Sequence, residues 1–439
     1  MPMKSLLYFC TVALGTCCLA AAEPSQPLTL TEAVEAVLAR YPSLDAAQAA
    51  VDAARGRSLQ SGAARLPQVS AGGSYTYLSL RPYASFSLPS GTSSMYETIT
   101  NSYNASLQVS QLLTDFGRTD ALVALARTGE ISARDALEQA RHQLGYQTIQ
   151  AFYSILLWRE SVAVADEEIK ALDEALRITK DKLSSGKATK FDVLTTQVHL
   201  ANANNARSDR VAALEKQEAL LRQLLGYAPG ASVVITGEFV PAAGLPDLSA
   251  TIAEGLQRRP EMKLARDVQA EAGLKLDAAN RENRPVVEAH AAAGVEDGML
   301  PAMYENKGYV SAGLSVSVPI FTGRRIAGER IAARGEVRSA ESRARELART
   351  ITAEVEDALA DLKNAQTHLM SADTLVAQAN EALSLATLRY TNGVITNFEL
   401  LDAQSNARAA ELVRLQSRYD CVLADQAVAR AAGRQPLQH

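Results

Sequence analysis

Two carboxylates near the end of the chain, Glu399 and Asp402, have the spacing of a charged pair on one face of a helix. Residues three apart on a helix are neighbours, so these acids could concentrate negative charge and attract cations. The alternative is that both are solvated acids in a first helical turn, where negative charge favours the helix dipole. The sequence contains no HExxH or GxSxG motif and no phosphate-binding loop, so we predict no enzyme activity, cofactor or metal site.

The two acids belong to a segment that the chain contains twice. The stretch "GKATKFDVLTTQ" starts at Gly186, and "GVITNFELLDAQ" starts 207 residues later at Gly393. Glycine permits a left-handed helix end, and the threonine three residues later can cap a following helix. Each copy therefore predicts the turn of a helical hairpin, and we expect its phenylalanine to pack across that turn.

The distribution of proline predicts unusually long helices on both sides of these turns. No proline lies between Pro89 and Pro229 or between Pro319 and Pro436. A helix over 118–183, or its counterpart over 324–390, would be about 100 Å long. Such lengths favour coiled coils, although helices of a large globular bundle are the alternative.

Short stretches of alternating polar and apolar residues precede each predicted hairpin. Ser102 to Ser110 alternates strictly, Val310 to Val318 repeats the pattern, and a noisier strand precedes each of them. The four strands could form a soluble sheet, but their length and their Ser, Asn and Gln faces fit transmembrane strands around a water-filled lumen. Four strands cannot close a barrel, so several copies of the chain must complete it together.

These patterns predict a signal peptide followed by two structural repeats. The start of the chain combines Lys4, a short apolar run and small residues, as secretory signals do, and a lipidated start at Cys17 or Cys18 is an alternative. Each repeat should contain a helix, a strand pair and a long helical hairpin. The predicted bounds are 1–22 for the signal peptide, 23–228 for the first repeat (strands 68–80 and 102–113, hairpin 118–228), 229–246 for a linker, 247–434 for the second repeat (strands 286–296 and 309–320, hairpin 324–432) and 435–439 for a tail.

The composition excludes one class of partner. The formal net charge is −5 and no stripe of Lys and Arg is concentrated anywhere, which argues against a nucleic-acid partner. Cleavage of the signal would leave Cys421 as the only cysteine, so no intrachain disulfide is expected.

With the paired hairpin turns, and with "DFGR" at 115–118 and "FTGR" at 321–324 leading into the long helices, the chain resembles the TolC-type outer-membrane efflux and export channels. The resemblance covers nearly the whole mature chain. It implies a mixed α/β membrane protein whose four strands contribute to a trimeric twelve-stranded barrel, continued by a coiled-coil tunnel into the periplasm. It also implies that the hairpin tips contact a periplasmic adaptor protein attached to an inner-membrane transporter. By position these contacts fall on Gly186, Lys187, Ala188, Thr189, Gly393, Val394, Ile395 and Thr396.

The resemblance further implies a periplasmic gate at Glu399 and Asp402, with Asp192 and Tyr390 beside it. Some family members hold this mouth shut with an arginine at the place of Ile395. The arginine is absent here, which puts a salt-bridge latch to Asp192 in doubt.

The predicted function is that of the outer-membrane exit duct of a tripartite efflux system, which passes small toxic compounds to the exterior. Its predicted partners are two further copies of the chain, the adaptor, the inner-membrane transporter and outer-membrane lipid. One alternative is the outer-membrane channel of a type I protein secretion system. An alternative of a different class is a soluble periplasmic coiled-coil adaptor.

Overall fold

The computed structural model describes residues 27–77, 83–87, 93–97, 101–241, 244–296 and 307–436. The predicted signal peptide, with Cys17 and Cys18, lies outside these residues. In chain order the elements are α1 (Leu30–Arg40), α2 (Pro42–Ala63), β1 (Gln68–Tyr77), β2 (Tyr83–Ser87), β3 (Ser93–Glu97), β4 (Asn101–Thr114), α3 (Arg118–Ser184), α4 (Lys190–Leu225), α5 (Leu248–Arg258), α6 (Pro260–Arg281), β5 (Val286–Glu296), β6 (Lys307–Ser317), α7 (Arg325–Thr391) and α8 (Asn397–Ala431).

The long helices predicted from the proline distribution are confirmed. The helices α3 and α7 each contain 67 residues, about 100 Å at the usual rise per residue. Buried positions on α7 recur at steps of three, four and seven, the spacing of a coiled-coil seam. They are Ile326, Ala333, Ala340, Ala344, Ile351, Val355, Ala358, Leu362, Ala365, Ala372 and Val376. Leu359, next to Ala358, is also buried and lies outside this spacing.

The four predicted strands form one antiparallel sheet in the order β1-β4-β5-β6. The central pair, β4 and β5, joins a strand of the first sequence repeat to a strand of the second. The fourth strand ends at Ser317, three residues before its predicted end, and residues 78–80 of the first lie outside the described chain. A separate hairpin of β2 and β3 was not predicted, because its Ser-rich strands of five residues each lack a clear alternation.

The register of this sheet aligns side chains of one kind across all four strands. Residues directly opposite each other in a ladder point to the same face. Apolar rows therefore cover one face, namely Val69-Val109-Ala291-Ala312 and Ala71-Leu107-Ala293-Val310. The other face is more polar, with rows such as Gln68-Ser110-His290-Gly313 and Ser70-Gln108-Ala292-Ser311. The alternation expected from the sequence thus produces a sheet with one apolar face.

The chain divides into two compact units, each assembled from distant segments. In the described residues the first unit comprises 27–41, 144–241 and 365–423, and the second comprises 42–143, 244–364 and 424–436. These units cut across the two sequence repeats, since both α3 and α7 contribute residues to each unit. Among the described helices, none combines the length and the apolar character that crossing a bilayer requires.

In the first unit the segment between the repeats packs against the long helix α3. Leu28 and Ile235 form a parallel bridge, and Arg159 Nη1 donates a hydrogen bond of 2.8 Å to the carbonyl of Ile235. The ring of Phe239 lies between Tyr153 and Tyr419, with centroid distances of 5.9 and 6.4 Å. Aromatic and polar contacts of Ile235 and Phe239 therefore fix this part of the linker to the first unit.

In the second unit the junction of α5 and α6 contains a buried ion pair. Pro260 starts α6 because proline suits a first helical position, and Arg259 precedes it with only 7% of its side chain exposed. The Arg259 guanidinium pairs with Glu354 of α7 and, at 3.4 Å, with Glu261. Burial alone would lower the pKa of Arg259, but the hydrogen bond and charge of these carboxylates raise it above its usual value.

A second charged contact in this unit joins two acids rather than opposite charges. Asp267 of α6 faces Asp135 of α3, and Glu271 adds a further negative charge. Burial, followed by repulsion from Asp135, raises the pKa of Asp267 to about 6. The buried Asp267 Oδ2 finds no hydrogen-bond donor among the described residues, and protonation of one carboxyl of the pair would supply it.

Candidate functional site at the helical hairpin tips

The first repeated motif forms the turn between α3 and α4. Gly186 adopts a left-handed backbone with φ of 71°, and its N–H donates to the carbonyl of Leu183 at 3.0 Å. The N–H of Lys187 donates to the carbonyl of Lys182 at 2.8 Å, completing a Schellman motif. Thr189 then caps α4 in a capping box with Asp192.

The second motif forms the same turn between α7 and α8. Gly393 has φ of 74° and donates to the carbonyl of Tyr390 at 3.1 Å, while Val394 N–H donates to the carbonyl of Arg389 at 2.9 Å. Thr396 and Glu399 repeat the capping box, since Glu399 N–H donates to Thr396 Oγ1 at 3.3 Å and Glu399 Oε2 accepts from Thr396 N–H at 2.7 Å. The chain contains this motif twice because each hairpin has a turn of the same type.

The predicted gate acids have local partners in this structure. The backbone N–H of Thr396, and then its hydroxyl, hold the pKa of the Glu399 carboxyl below its usual value, so Glu399 is ionised at neutral pH. Asp192 Oδ2 accepts from the N–H and the hydroxyl of Thr189 at 2.8 and 2.7 Å. Asp402, one turn further along α8, is exposed and accepts from Asn406 at 3.1 Å. All three acids remain predictions as gate residues.

Tyr390, the fourth predicted gate residue, contacts the other hairpin through a cation. Lys182 Nζ of α3 lies 3.6 Å from the centroid of the Tyr390 ring. A cation over an aromatic face is attracted by the ring quadrupole, by about 0.5–1 kcal/mol at an exposed site. This contact links the two hairpins. Lys182 was missed in the sequence because nothing in the local pattern pairs it with a residue about 200 positions away.

A buried hydrogen bond provides a second link between the two hairpins. Asn397, the first residue of α8, is only 6% exposed, and its Nδ2 donates to Thr196 Oγ1 of α4 at 3.1 Å. The hydroxyl of Thr196 in turn donates a hydrogen bond to the carbonyl of Asp192 at 2.9 Å. Asn397 was also missed, because an asparagine beside a capping threonine is an ordinary sequence feature at a helix start.

The phenylalanines of the two motifs do not pack as expected. Phe191 and Phe398 are 71% and 61% exposed, so the prediction that each packs across its turn is wrong. Both lie on the first turn of their helices, on a face directed to solvent in the single chain. With the exposed Val394 and Leu194 they form an apolar tip surface, defined here as Phe191, Leu194, Val394 and Phe398. Of the predicted adaptor-contact residues, Val394 belongs to this surface and the others lie in the same two turns. Gly186, Lys187, Thr189, Gly393, Val394 and Thr396 are exposed, while Ala188 and Ile395 are half-buried.

The fold is that of outer-membrane channel proteins. The outer membrane protein VceC of Vibrio cholerae superimposes on this chain with a TM-score of 0.78 at 19% sequence identity, covering 93% of this chain and 96% of VceC.

Within the described residues no cluster of His, Cys, Asp or Glu could hold a metal ion.

The outer membrane efflux protein family matches residues 33–227 and 251–434, and the chain belongs to that family. It is thus a channel component of the outer membrane rather than an enzyme. The outer membrane efflux protein BepC of Brucella suis is 23% identical over 332 residues, which are 75% of this chain and 71% of BepC. The toluene efflux pump outer membrane protein TtgC of Pseudomonas putida is 24% identical over 351 residues, covering 76% of this chain and 70% of TtgC.

Proposed function

We propose that three copies of the chain form the exit duct of a tripartite efflux system, carrying small toxic compounds across the outer membrane. The two-faced sheet supports this proposal most directly. Its apolar rows suit contact with lipid, and its polar rows suit a water-filled lumen. In the described residues the outer edges of β1 and β6 have no strand partner, which is untenable in lipid unless neighbouring copies pair with them.

The number of strands supports the proposed trimer. Three sheets of four strands give twelve, an even number within the range of known outer-membrane barrels. The long helices α3 and α7 would continue this barrel as a tunnel into the periplasm. Outer-membrane lipid and two further copies of the chain are thus the partners of the sheet.

We assign the remaining partners to the tips. The apolar tip surface is costly to leave in water, and a periplasmic adaptor protein docking on the two turns would cover it. The adaptor in turn would connect the duct to an inner-membrane transporter. BepC and TtgC are named as outer-membrane proteins of efflux systems, which supports this arrangement.

We also propose that Glu399 and Asp402 form the gate of the periplasmic mouth. Both are exposed on α8, and threefold symmetry would repeat each of them into a ring of carboxylates. Asp192 and Tyr390 would lie beside these rings, with the Lys182–Tyr390 contact joining the two hairpins.

Neighbouring residues of β6 provide the experiment that tests the duct. The test variant is Val310→Lys, which places a lysine on the apolar face at a position that is 85% exposed. The matched control is Ser311→Lys, which places a lysine on the polar face. A lysine facing lipid costs about 2–4 kcal/mol at the bilayer centre, whereas one facing a lumen remains hydrated. We expect Val310→Lys to remove most trimer from the outer membrane and to sensitise cells to small toxic compounds, with Ser311→Lys near wild type.

The amount of trimer is measured by light scattering or native mass spectrometry in mild detergent. Equal trimer yield in both variants, or a wild-type monomer that keeps its helicity, contradicts the proposed duct. If sensitivity is unchanged on deleting the gene while a secreted protein is lost from the medium, the cargo is protein.

The turn glycines test the assignment of the tips. A Cβ at Gly186 or Gly393 meets no described atom within 4 Å, so substitution acts only through the left-handed backbone. That conformation costs about 1–2 kcal/mol for a residue with a side chain. We expect Gly186→Ala and Gly393→Val to weaken crosslinking to the adaptor severalfold while trimers still assemble.

Gly335 in the interior of α7 is the matched control, since its added Cβ also meets open space and its backbone is helical. Gly335→Ala should leave crosslinking unchanged. If trimers are lost in the turn variants while the remaining ones crosslink normally, the turns are structural and the adaptor docks elsewhere.

A further inference from the structure

A cavity of about 300 Å³ lies within the first unit, just behind the hairpin tips. Its walls come from α3 of the first hairpin and from α7 and α8 of the second. Ala175, Ile178 and Leu400 make part of the lining apolar. The volume lies at the lower end of the range of small-molecule pockets, so the cavity has room for a compact ring with a few substituents.

Two lining residues present acceptors without donors. Asn397 Oδ1 and Gln404 Oε1 are both buried, and neither has a hydrogen-bond partner among the residues that the structure describes. The orientation of the Asn397 amide is fixed, because its Nδ2 donates to Thr196 Oγ1. An acceptor that is buried without a donor is unfavourable, so a ligand that brings an N–H or O–H group is favoured at this position.

Several other polar groups of the lining already use their protons or charges. Thr179 and Thr387 donate to the carbonyls of Ala175 and Leu383, each at 2.8 Å, and retain only lone pairs for a ligand. The carboxylate of Glu174 accepts from Arg177 at 2.7 and 2.9 Å. Lys182 lies over the Tyr390 ring. The cavity thus combines unpaired acceptors, apolar walls and a paired carboxylate, with the Lys182 ammonium and the Tyr390 hydroxyl also in its lining.

From this combination we propose that the cavity is a binding site for uncharged aromatic molecules with O–H or N–H donors, of which phenols are the simplest class. An apolar ring would contact Ile178 and Leu400, and its donor would reach Gln404 or Asn397. A charged amine is disfavoured because Lys182 lies in the same wall and the Glu174 carboxylate is already paired.

A bound molecule would contact both hairpins at once, since α3 belongs to one hairpin and α7 and α8 to the other. It would therefore hold the two hairpins in this arrangement and oppose any movement that separates them. Binding to the cavity is independent of the proposed function. If the duct opens by separating its hairpins, a bound molecule would also block transport, and that consequence rests on the proposed function.

The test is a titration of the full-length, detergent-solubilised protein with 4-fluorophenol, observed by fluorine NMR. We expect saturable binding on top of the linear partitioning into micelles. Gln404→Leu removes one acceptor and Ala175→Leu fills part of the cavity, so each should weaken the saturable component about tenfold or more.

The control variant is Gln197→Leu, at the position of the first motif that corresponds to Gln404, because Gln197 is exposed and does not line the cavity. It should bind like wild type. Purely linear partitioning in the wild type, or equal saturable binding in all four proteins, would overturn the site. Intact transport in the wild type with no saturable binding would reject the site and leave the duct standing.

Discussion

Replacing Arg259 with leucine is expected to lower the free energy of unfolding of the helical region by about 2–4 kcal/mol. The Arg259 side chain is 7% exposed and pairs with Glu261, which is 31% exposed, and with Glu354, which is 49% exposed. Its removal leaves both carboxylates without this counter-ion, and the cost comes mainly from the buried side of the contact. The site cannot simply relax, because the backbone at this junction is tightly packed. A Cβ added to Gly433 would lie 2.7 Å from the backbone nitrogen of Arg259.

The adjacent residue provides the control for this substitution. Arg258 pairs with Glu254 at 2.5 Å but is 61% exposed, and exposed ion pairs contribute about 0–1 kcal/mol. Thermal or denaturant unfolding followed by far-ultraviolet circular dichroism should show a large loss for Arg259→Leu and a small one for Arg258→Leu. Equal losses would mean that burial of the Arg259 pair contributes no particular stability.

Removing the charges of Glu399 and Asp402 together is expected to reduce the cation selectivity of the reconstituted channel about threefold or more and to relieve block by divalent cations. The structure determines which substitutions are suitable. Glu399 closes the capping box with Thr396, so alanine would damage the helix start as well as remove a charge. Glu399→Gln keeps a side-chain acceptor for the cap, and Asp402→Asn keeps the size of the side chain.

A matched double variant distinguishes an effect of charge at the periplasmic mouth from an effect of the net charge of the chain. Glu356→Gln with Asp420→Asn removes the same two charges per chain from exposed positions on α7 and α8 outside the tip motifs. Single-channel recordings of this variant should resemble wild type. Unchanged selectivity and unchanged divalent block in the Glu399 and Asp402 variant would place the constriction elsewhere.

The turns and long helices could be predicted because short-range rules determine them. Gly186 and Gly393 take left-handed backbone, and Thr189 caps a helix three residues later, all within one motif. The alternation of four strands was equally local. The sheet order was not predictable in this way, since β4 and β5 pair across nearly 200 residues. A local alternation predicts a strand but does not specify which other strand it pairs with.

The contacts between the two hairpins could not be predicted from the sequence for a related reason. Lys182 and Asn397 find their partners, Tyr390 and Thr196, only after both hairpins have packed side by side. The motif that predicted the turns also misled about Phe191, because packing across a turn is usual for an apolar residue in a single folded chain. Phe191 is 71% exposed, and the proposed docking of an adaptor would cover it.

The acid pair of Asp135 and Asp267 couples the stability of the second unit to proton concentration. Because the pKa of Asp267 is raised to about 6, the folded chain holds this proton more tightly than an unfolded chain would. The stabilisation is complete below the ordinary aspartate range and is lost as pH rises through about 6. The contact between helices α3 and α6 is therefore stronger in acid than at neutral pH.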